Sequence, residues 1–410
     1  MKHVLILYQT FAIPSGSAMI RTYEVAKNLV KKGYKVTVIT GTSPRTGIQT
    51  SNKVERRNID GINVIILDIE YSNKMRIRKR YIQYFRFAFE AIKHGLKEKD
   101  IDLVYAVSAP ITIGIPGYVI SKFKKAIYVF EAADLWPDVP IAMKTLKNKT
   151  IIKLAYWLEH FTYRKADRII ALVTGIKDRI IEKGFDKNKI DVVPTFADLE
   201  LFTNGEDDYC YRNNLNIPDN QFICTYVGAL SFMNDFIQVL RCAKILKEKF
   251  VKDISFLVIG QGIEKDNLIK FKEEHNLDNV IFHDPIPKKD LPKILAASDL
   301  GLVIFQNLKV LTDTACSNKY FDYMAAGRPL LLNFGGWQTE LIETSIAGIG
   351  TEPNNPEDMA NKIINLKNNP ELIKQMKINS RKLAEVEFNK EKILNEIERI
   401  FNKLIISKEV

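Results

Sequence analysis

The sequence predicts an α/β protein of two doubly wound domains facing a cleft, and three observations predict it. Residues 1–40 read strand, loop, helix, strand, and the same alternation restarts after residue 220. The charge divides in the same way. Residues 1–195 hold 34 Lys and Arg against 18 Asp and Glu, a net of +16, while residues 196–410 hold 26 against 31, a net of −5. Halves of similar length and opposite sign suggest two domains with different partners.

The elements follow in order. His3–Tyr8 is a short apolar run, and Thr10–Gly16 carries the Pro and Gly of a loop. Ser17–Lys32 places Met19, Tyr23, Ala26 and Val30 in a helical stripe. Gly33 closes that helix, and Lys35–Thr40 is a β-branched strand. A strand–helix–strand unit implies parallel pairing. More apolar runs follow at Ile62–Leu67, Leu103–Val107, Ile127–Phe130, Ile169–Val173 and Val192–Val193. Thr195–Asn220 is polar and aperiodic, the composition of a linker. Beyond it come strands at Phe222–Val227, Ile254–Ile259, Val280–His283, Leu300–Phe305 and Leu330–Asn333. Helices are expected at Phe236–Lys249, Asn318–Ala326 and Gln338–Glu343, with a long helical tail over 371–406. The expected domains are 1–195 and 196–370, with a tail at 371–410 packing back on the first. Ligands of such sheets bind at the carboxyl ends of the strands.

Composition removes several classes. A chain that is 46% hydrophobic can bury full cores, so global disorder is excluded. Its longest apolar runs are too short to span a bilayer, and no signal peptide is expected at Val4–Leu7. The four cysteines lack a Cys-x-x-Cys pair and read as reduced thiols of a cytoplasmic protein. The five histidines show no metal-ligand spacing. Asp100-Ile101-Asp102 lies at the amino end of a strand, the wrong end for a metal site.

Four segments carry candidate chemistry. Pro14-Ser15-Gly16-Ser17 joins the first strand to the first helix, where a glycine and a helix N-terminus favour a phosphate. It is not Gly-x-Gly-x-x-Gly, which disfavours a nicotinamide dinucleotide. Lys74, Arg76, Arg78, Lys79, Arg80 and Arg86 interleave with Tyr81, Tyr84 and Phe85 and no acid. That is the composition of an interfacial membrane helix, and no nucleic-acid motif accompanies it. Ile77, Tyr81, Phe85, Ala88 and Ile92 are its expected packing stripe. Glu131, Asp134, Trp136 and Asp138 crowd the end of a strand, where a carboxylate could take or orient a hydroxyl proton. Ser317-Asn318-Lys319 opens a helix, with Asp322 one turn on. Free N–H groups, the dipole and an ammonium would make a diphosphate site there, and Asp322 could accept ribose hydroxyls. The structural alternative is a Ser-capped helix with an i,i+3 ion pair.

Taken together, these residues resemble the retaining nucleotide-sugar glycosyltransferases of family 4, which have the GT-B fold of two Rossmann-like domains. They are most similar to the WbuB-like subgroup. The resemblance is carried by Ser317 through Pro329, by Asn333-Phe334-Gly335-Gly336-Trp337 and by Asp134-Leu135-Trp136-Pro137. It implies Gly16, Gly228, Gly260, Gly262, Ser317, Asn318, Lys319, Asp322, Gly335 and Gly336 on the donor, with Lys319 and Asp134 as catalytic residues. It implies Glu131 and Trp136 on the acceptor side. The chain departs from the pattern at Ser15, at Thr314 in place of the first motif acid, and over Ala229–Phe236, which holds no base.

The expected activity is transfer of a hexose-type sugar from a nucleotide sugar, UDP-linked by expectation, to a lipid-linked saccharide in surface glycan assembly. Retention is expected, with no metal or other cofactor. Expected partners are the donor, the acceptor and an anionic membrane touched by Arg76, Arg78, Lys79, Arg80, Tyr81 and Phe85, with no nucleic acid. The expected location is peripheral, on the cytoplasmic face of the cell membrane. The alternatives are a nucleotide-sugar epimerase of the same architecture and a non-catalytic basic membrane-surface protein.

Overall fold

The computed structural model describes residues 1–72, 75–108, 110–202, 212, 217–218 and 220–409, apart from the side chains of Ile77 and Glu409. Lys74, the acidic run Glu206-Asp207-Asp208, Cys210 and most of the expected linker lie outside the described residues.

Two compact units emerge. One comprises Met1–Thr195, Thr314–Cys316 and Glu391–Val410, the other Phe196–Asp313 and Ser317–Lys390. In the first unit the chain runs β1 (His3–Leu7), α1 (Arg21–Lys31), β2 (Lys35–Thr42), β3 (Val54–Ile59), β4 (Ile62–Glu70) and α2 (Ile77–Gly95). It continues through β5 (Leu103–Val107), α3 (Gly114–Lys124), β6 (Ile127–Ala132), α4 (Asp138–Ala142), α5 (Lys149–Lys165), β7 (Arg168–Ala171), α6 (Thr174–Glu182) and β8 (Ile190–Val192). The sheet order is β3-β4-β2-β1-β5-β6-β7-β8. All pairs are parallel except β3 with β4. The central strands β1 and β5 are buried at every residue, as a sheet covered on both faces requires.

The second unit runs β9 (Phe222–Val227), α7 (Ile237–Glu248), β10 (Ile254–Ile259), α8 (Lys265–Glu274), β11 (Val280–His283), α9 (Leu291–Ala296) and β12 (Leu300–Val303). Then come α10 (Lys309–Thr314), α11 (Asn318–Ala325), β13 (Leu330–Leu332), α12 (Trp337–Thr344), β14 (Gly348–Gly350), α13 (Pro356–Lys367) and α14 (Pro370–Val386). Its sheet, β11-β10-β9-β12-β13-β14, is wholly parallel. Strand order reverses between β1 and β5 in the first sheet and between β9 and β12 in the second. Those reversals are the switch points at which open α/β sheets bind ligands.

Three expectations change. The first helix begins at Arg21 rather than Ser17, and its N-cap position is Ile20, with no side-chain cap. The hairpin partner β3 was not expected, because Val-Glu-Arg-Arg-Asn-Ile is charged and lies at a sheet edge. The tail is two helices rather than one. α14 stays in the second unit, where Ser380 donates to the Arg328 carbonyl at 2.7 Å. α15 (Lys390–Glu409) joins the first from Glu391 onward. Tyr34 donates to Glu398 at 2.8 Å, and Tyr105 meets Phe401 edge-on. The break at Glu387–Asn389 fits the isolated bridge between Ala197 and Asn389, which leaves the helical path.

Candidate active site

At the reversal of the second sheet, α11 starts without a side-chain cap. Ser317 occupies the N-cap position, but no side-chain cap hydrogen bond forms. Lys319 makes no i,i+3 pair with Asp322. Its ammonium lies 3.2 Å from the Tyr226 hydroxyl, 4.4 Å from the Tyr226 ring centre and 5.0 Å from that of Phe305. Tyr226 stands near the end of β9, and Phe305 follows β12, so both rings belong to the switch point. Burial lowers the Lys319 amine from its ordinary value to about 7. No carboxylate faces this ammonium among the described residues, which is the condition of a cation waiting for an external anion. Both features of the structural alternative, the cap and the i,i+3 pair, are missing.

The glycines around it differ in kind. A Cβ on Gly228 would stand 3.3 Å from both Lys319 Cε and the Tyr226 hydroxyl, crowding the ammonium. Gly260 and Gly262 are required by main-chain packing, since a Cβ there would meet the carbonyls of Gly228 and Leu230 at 1.9 Å. They shape the turn around Gly228 rather than open a second surface. Gly336 has φ +99°, whereas a Cβ on Gly335 would meet open space. Beside them the Trp337 indole N–H and both polar atoms of the Gln338 amide are buried without a hydrogen-bond partner among the described residues.

Asp322 pairs with Lys288, whose ammonium also sits 5.7 Å from the Phe202 ring centre. Burial raises the Asp322 carboxyl, and Lys288 partly offsets that. Sequence reasoning missed Lys288, Tyr226 and Phe305. Tyr226 lies in β9, Phe305 follows β12 and Lys288 follows β11, so no local spacing links them to Lys319.

In the first unit the three acids near Trp136 separate. Arg21 reaches Glu131 at 3.1 Å and donates to the carbonyls of Val193 and Pro194 at 3.1 and 2.6 Å. Tyr105 also donates to Glu131, and both charged side chains are almost wholly buried. Glu131 is therefore a structural anchor, not the acceptor contact the sequence led us to expect. Glu131→Ala, which strands Arg21, should destabilise this unit by about 3–5 kcal/mol, read by urea unfolding. Asp138 is held by Lys183 at 2.5 Å and by the Tyr156 hydroxyl at 2.7 Å. Asp134 is solvent-accessible with no hydrogen-bond or ion-pair partner among the described residues, and the protein around it raises its carboxyl by desolvation. Trp136 beside it is half-buried. Gly16 is buried, and its Cβ would meet the Arg45 carbonyl at 2.5 Å. Close packing on its own unit accounts for that glycine without a ligand.

The basic aromatic segment forms α2, but its buried face is not the expected stripe. Phe87, Ala88, Ala91 and His94 are buried, and a Cβ on Gly95 would lie 2.4 Å from Ile120 of α3. Small residues let the two helices approach, which turns Phe85 outward. Arg76, Arg78 and Lys79 are exposed, and Arg80 and Tyr81 are half-buried. No described helix is long and apolar enough to cross a membrane. The Asp102 carboxylate of the Asp-x-Asp segment accepts from the His3 N–H at 2.7 Å, a structural role.

Comparison with known proteins decides the class. Residues 18–195 match the glycosyl transferase 4-like domain, and residues 210–383 match glycosyl transferases group 1. The chain is a GT-B glycosyltransferase. An uncharacterized glycosyltransferase of Methanocaldococcus jannaschii is 21% identical over 404 residues, covering 92% of this chain and 99% of that protein. The enzyme's fold matches a sucrose-phosphate synthase from Thermosynechococcus elongatus with a TM-score of 0.77, at 16% identity over 99% of this chain and all of that one. It also matches Anabaena HepE, solved with UDP-glucose, with a TM-score of 0.71, at 16% identity over 98% of this chain and 100% of that one. With glycosyltransferase function established, the epimerase and the non-catalytic protein fall away.

Proposed function

We propose that the enzyme transfers a hexose-type sugar from a UDP-linked donor to a hydroxyl of a lipid-linked saccharide, with retention, in surface glycan assembly. The observation that carries the donor half is the Lys319 ammonium, held against two aromatic faces at an uncapped helix start, with no carboxylate beside it among the described residues. A diphosphate supplies the missing anion. UDP is the favoured nucleotide because HepE, a whole-chain structural match, was solved with UDP-glucose.

The roles follow from the chemistry. As the sugar–phosphate bond breaks, charge builds on the leaving diphosphate. Lys319 and the N–H groups of Asn318 and Lys319 stabilise that charge. This electrostatic task needs no metal in our reading. Asp322, kept in place by Lys288, accepts the ribose hydroxyls, and Gly228 leaves room for the diphosphate. Gly335 and Gly336, next to the unpartnered Trp337 and Gln338 groups, take the sugar side. That position matters because Thr314 replaces the acid that the resemblance leads one to expect. Asp134 orients the acceptor hydroxyl, and Trp136 flanks it. The acceptor is lipid-linked in this reading because α2 offers exposed Arg76, Arg78, Lys79 and Phe85 to an anionic bilayer on the cytoplasmic side.

Asp134→Asn separates the two halves. Turnover should fall by about 10²–10⁴-fold with the UDP-induced thermal shift unchanged. Equal loss of both would show that Asp134 supports the fold. The donor assignment is tested by thermal-shift measurements with UDP, GDP and their sugars. UDP at about 100 times its dissociation constant should stabilise by about 2.7 kcal/mol. A response to GDP alone would overturn the choice of nucleotide.

A further inference from the structure

The outer surface of α5 is apolar, and nothing in the sequence analysis pointed to it. Leu154 is 56% exposed and Trp157 60%, one turn apart, with Ile151 also exposed. The inner face of the same helix buries Ala155, Leu158, Glu159 and Thr162. Its one acid, Glu159, is fully buried on Lys183 at 2.6 Å, so it adds nothing to the outer face. Exposed Lys147, Lys149, Lys153, Arg164 and Lys165 surround the apolar residues.

This face is not isolated. The crossovers from β4 to β5, β5 to β6 and β6 to β7 all run in one direction along the sheet. Right-handed crossovers therefore put α2, α3 and α5 side by side on one face, and α3 touches both of the others. Trp157 stacks on Phe161, and Phe161 meets Tyr118 of α3 edge-on at 5.2 Å. Lys122 and Lys165 stand over that tyrosine ring at 5.7 and 5.3 Å. The end of α3 adds Phe123, 73% exposed, and α2 adds Ile82, Phe85 and Phe89, each more than half exposed. Singly exposed apolar residues are ordinary, but a run of them across three adjacent helices is a surface built to be covered.

We propose that α5 and the end of α3 form, with α2, one broad footing that sits in the interface of an anionic bilayer. The charge argues for lipid rather than for a protein partner. The apolar rows of α3 and α5 are rimmed by exposed lysine and arginine, with no exposed acid on either helix. Rows of this kind suit apolar burial just below a layer of anionic headgroups, and tryptophan is favoured at that depth. The footing takes its purpose from the lipid-linked acceptor proposed above, but its evidence is the exposed surface itself.

The test uses the full chain and co-sedimentation with vesicles of about one-third phosphatidylglycerol in phosphatidylcholine, with pure phosphatidylcholine as the control. The double variant Leu154→Glu/Trp157→Glu should bind the anionic vesicles about tenfold more weakly than the parent. Leu154→Ser/Trp157→Ser guards against misfolding, and the UDP thermal shift of each variant should stay that of the parent. That shift also keeps the two readings apart. A normal shift with no vesicle binding by the parent overturns the footing alone, whereas vesicle binding with no shift overturns the donor site alone. Parent-like vesicle binding by both variants overturns the role of α5. So does a lipid-free parent dimer that both variants convert to monomer, since a second copy would then be the cover.

Discussion

Replacing Lys319 with methionine should lower turnover by about a thousandfold while leaving the protein as stable as before, or more so. The two halves of this expectation have one cause. In the ligand-free enzyme the ammonium is packed on Tyr226 and Phe305 with no carboxylate beside it among the described residues, so holding it charged is unfavourable. Methionine fills the same aromatic niche without a charge. Tyr226 keeps its hydrogen bond to the Ala229 carbonyl at 2.7 Å. What disappears is the stabilisation of the departing diphosphate. An ordinary buried structural lysine would behave in the opposite way, because its loss would strand a partner carboxylate. Melting temperature and turnover measured on the same preparation distinguish the two. A variant that unfolds early, or one that turns over normally, would contradict this role.

The second large effect is a pH dependence of donor affinity. In the free enzyme the Lys319 amine titrates at about 7. A bound diphosphate favours the charged form and so raises that value. The complex then holds more protons than the free enzyme above pH 7, and affinity falls as pH rises through that range. The limiting slope is about tenfold per pH unit until the amine of the complex itself titrates. Below pH 7 the free amine is already charged and the dependence flattens. The ligand-free protein follows the opposite trend. Its folded-state amine lies below the unfolded value, so this group's unfavourable contribution fades as pH rises from about 7 toward 10.5. A UDP-sugar is the better probe than UDP, because its diphosphate does not titrate here. Affinity that is level from pH 6.5 to 9 would contradict the coupling.

How much was legible beforehand varies with how local each feature is. The buried strands stand out because Val4–Leu7, Leu103–Val107 and Phe256–Ile259 are unbroken apolar runs. β3 does not, since an edge strand carries charge and its pairing with β4 is a property of the hairpin. Lys319 is legible because a helix start and a basic residue are neighbours in sequence. The ring cage around it is not, because Tyr226 and Phe305 arrive through the sheet order. The acids at the end of β6 and just beyond it look alike as a cluster, and their partners separate them. Arg21, 110 residues away, claims Glu131, Lys183 claims Asp138, and Asp134 is left over. The face of α2 was misjudged for a related reason. Its phase is set by the small residues that admit α3, and a hydrophobic stripe alone does not show which neighbour will come close.

The most direct measurement of the central claim is a calorimetric titration of a UDP-sugar into the enzyme and into Lys319→Met at pH 8, each in two buffers of different ionisation heat. The difference between buffers counts the protons taken up on binding. The account predicts binding with uptake of a fraction of a proton, at most one, by the enzyme, and weak binding with no uptake by the variant. Equal affinity and equal uptake in the two proteins would contradict it.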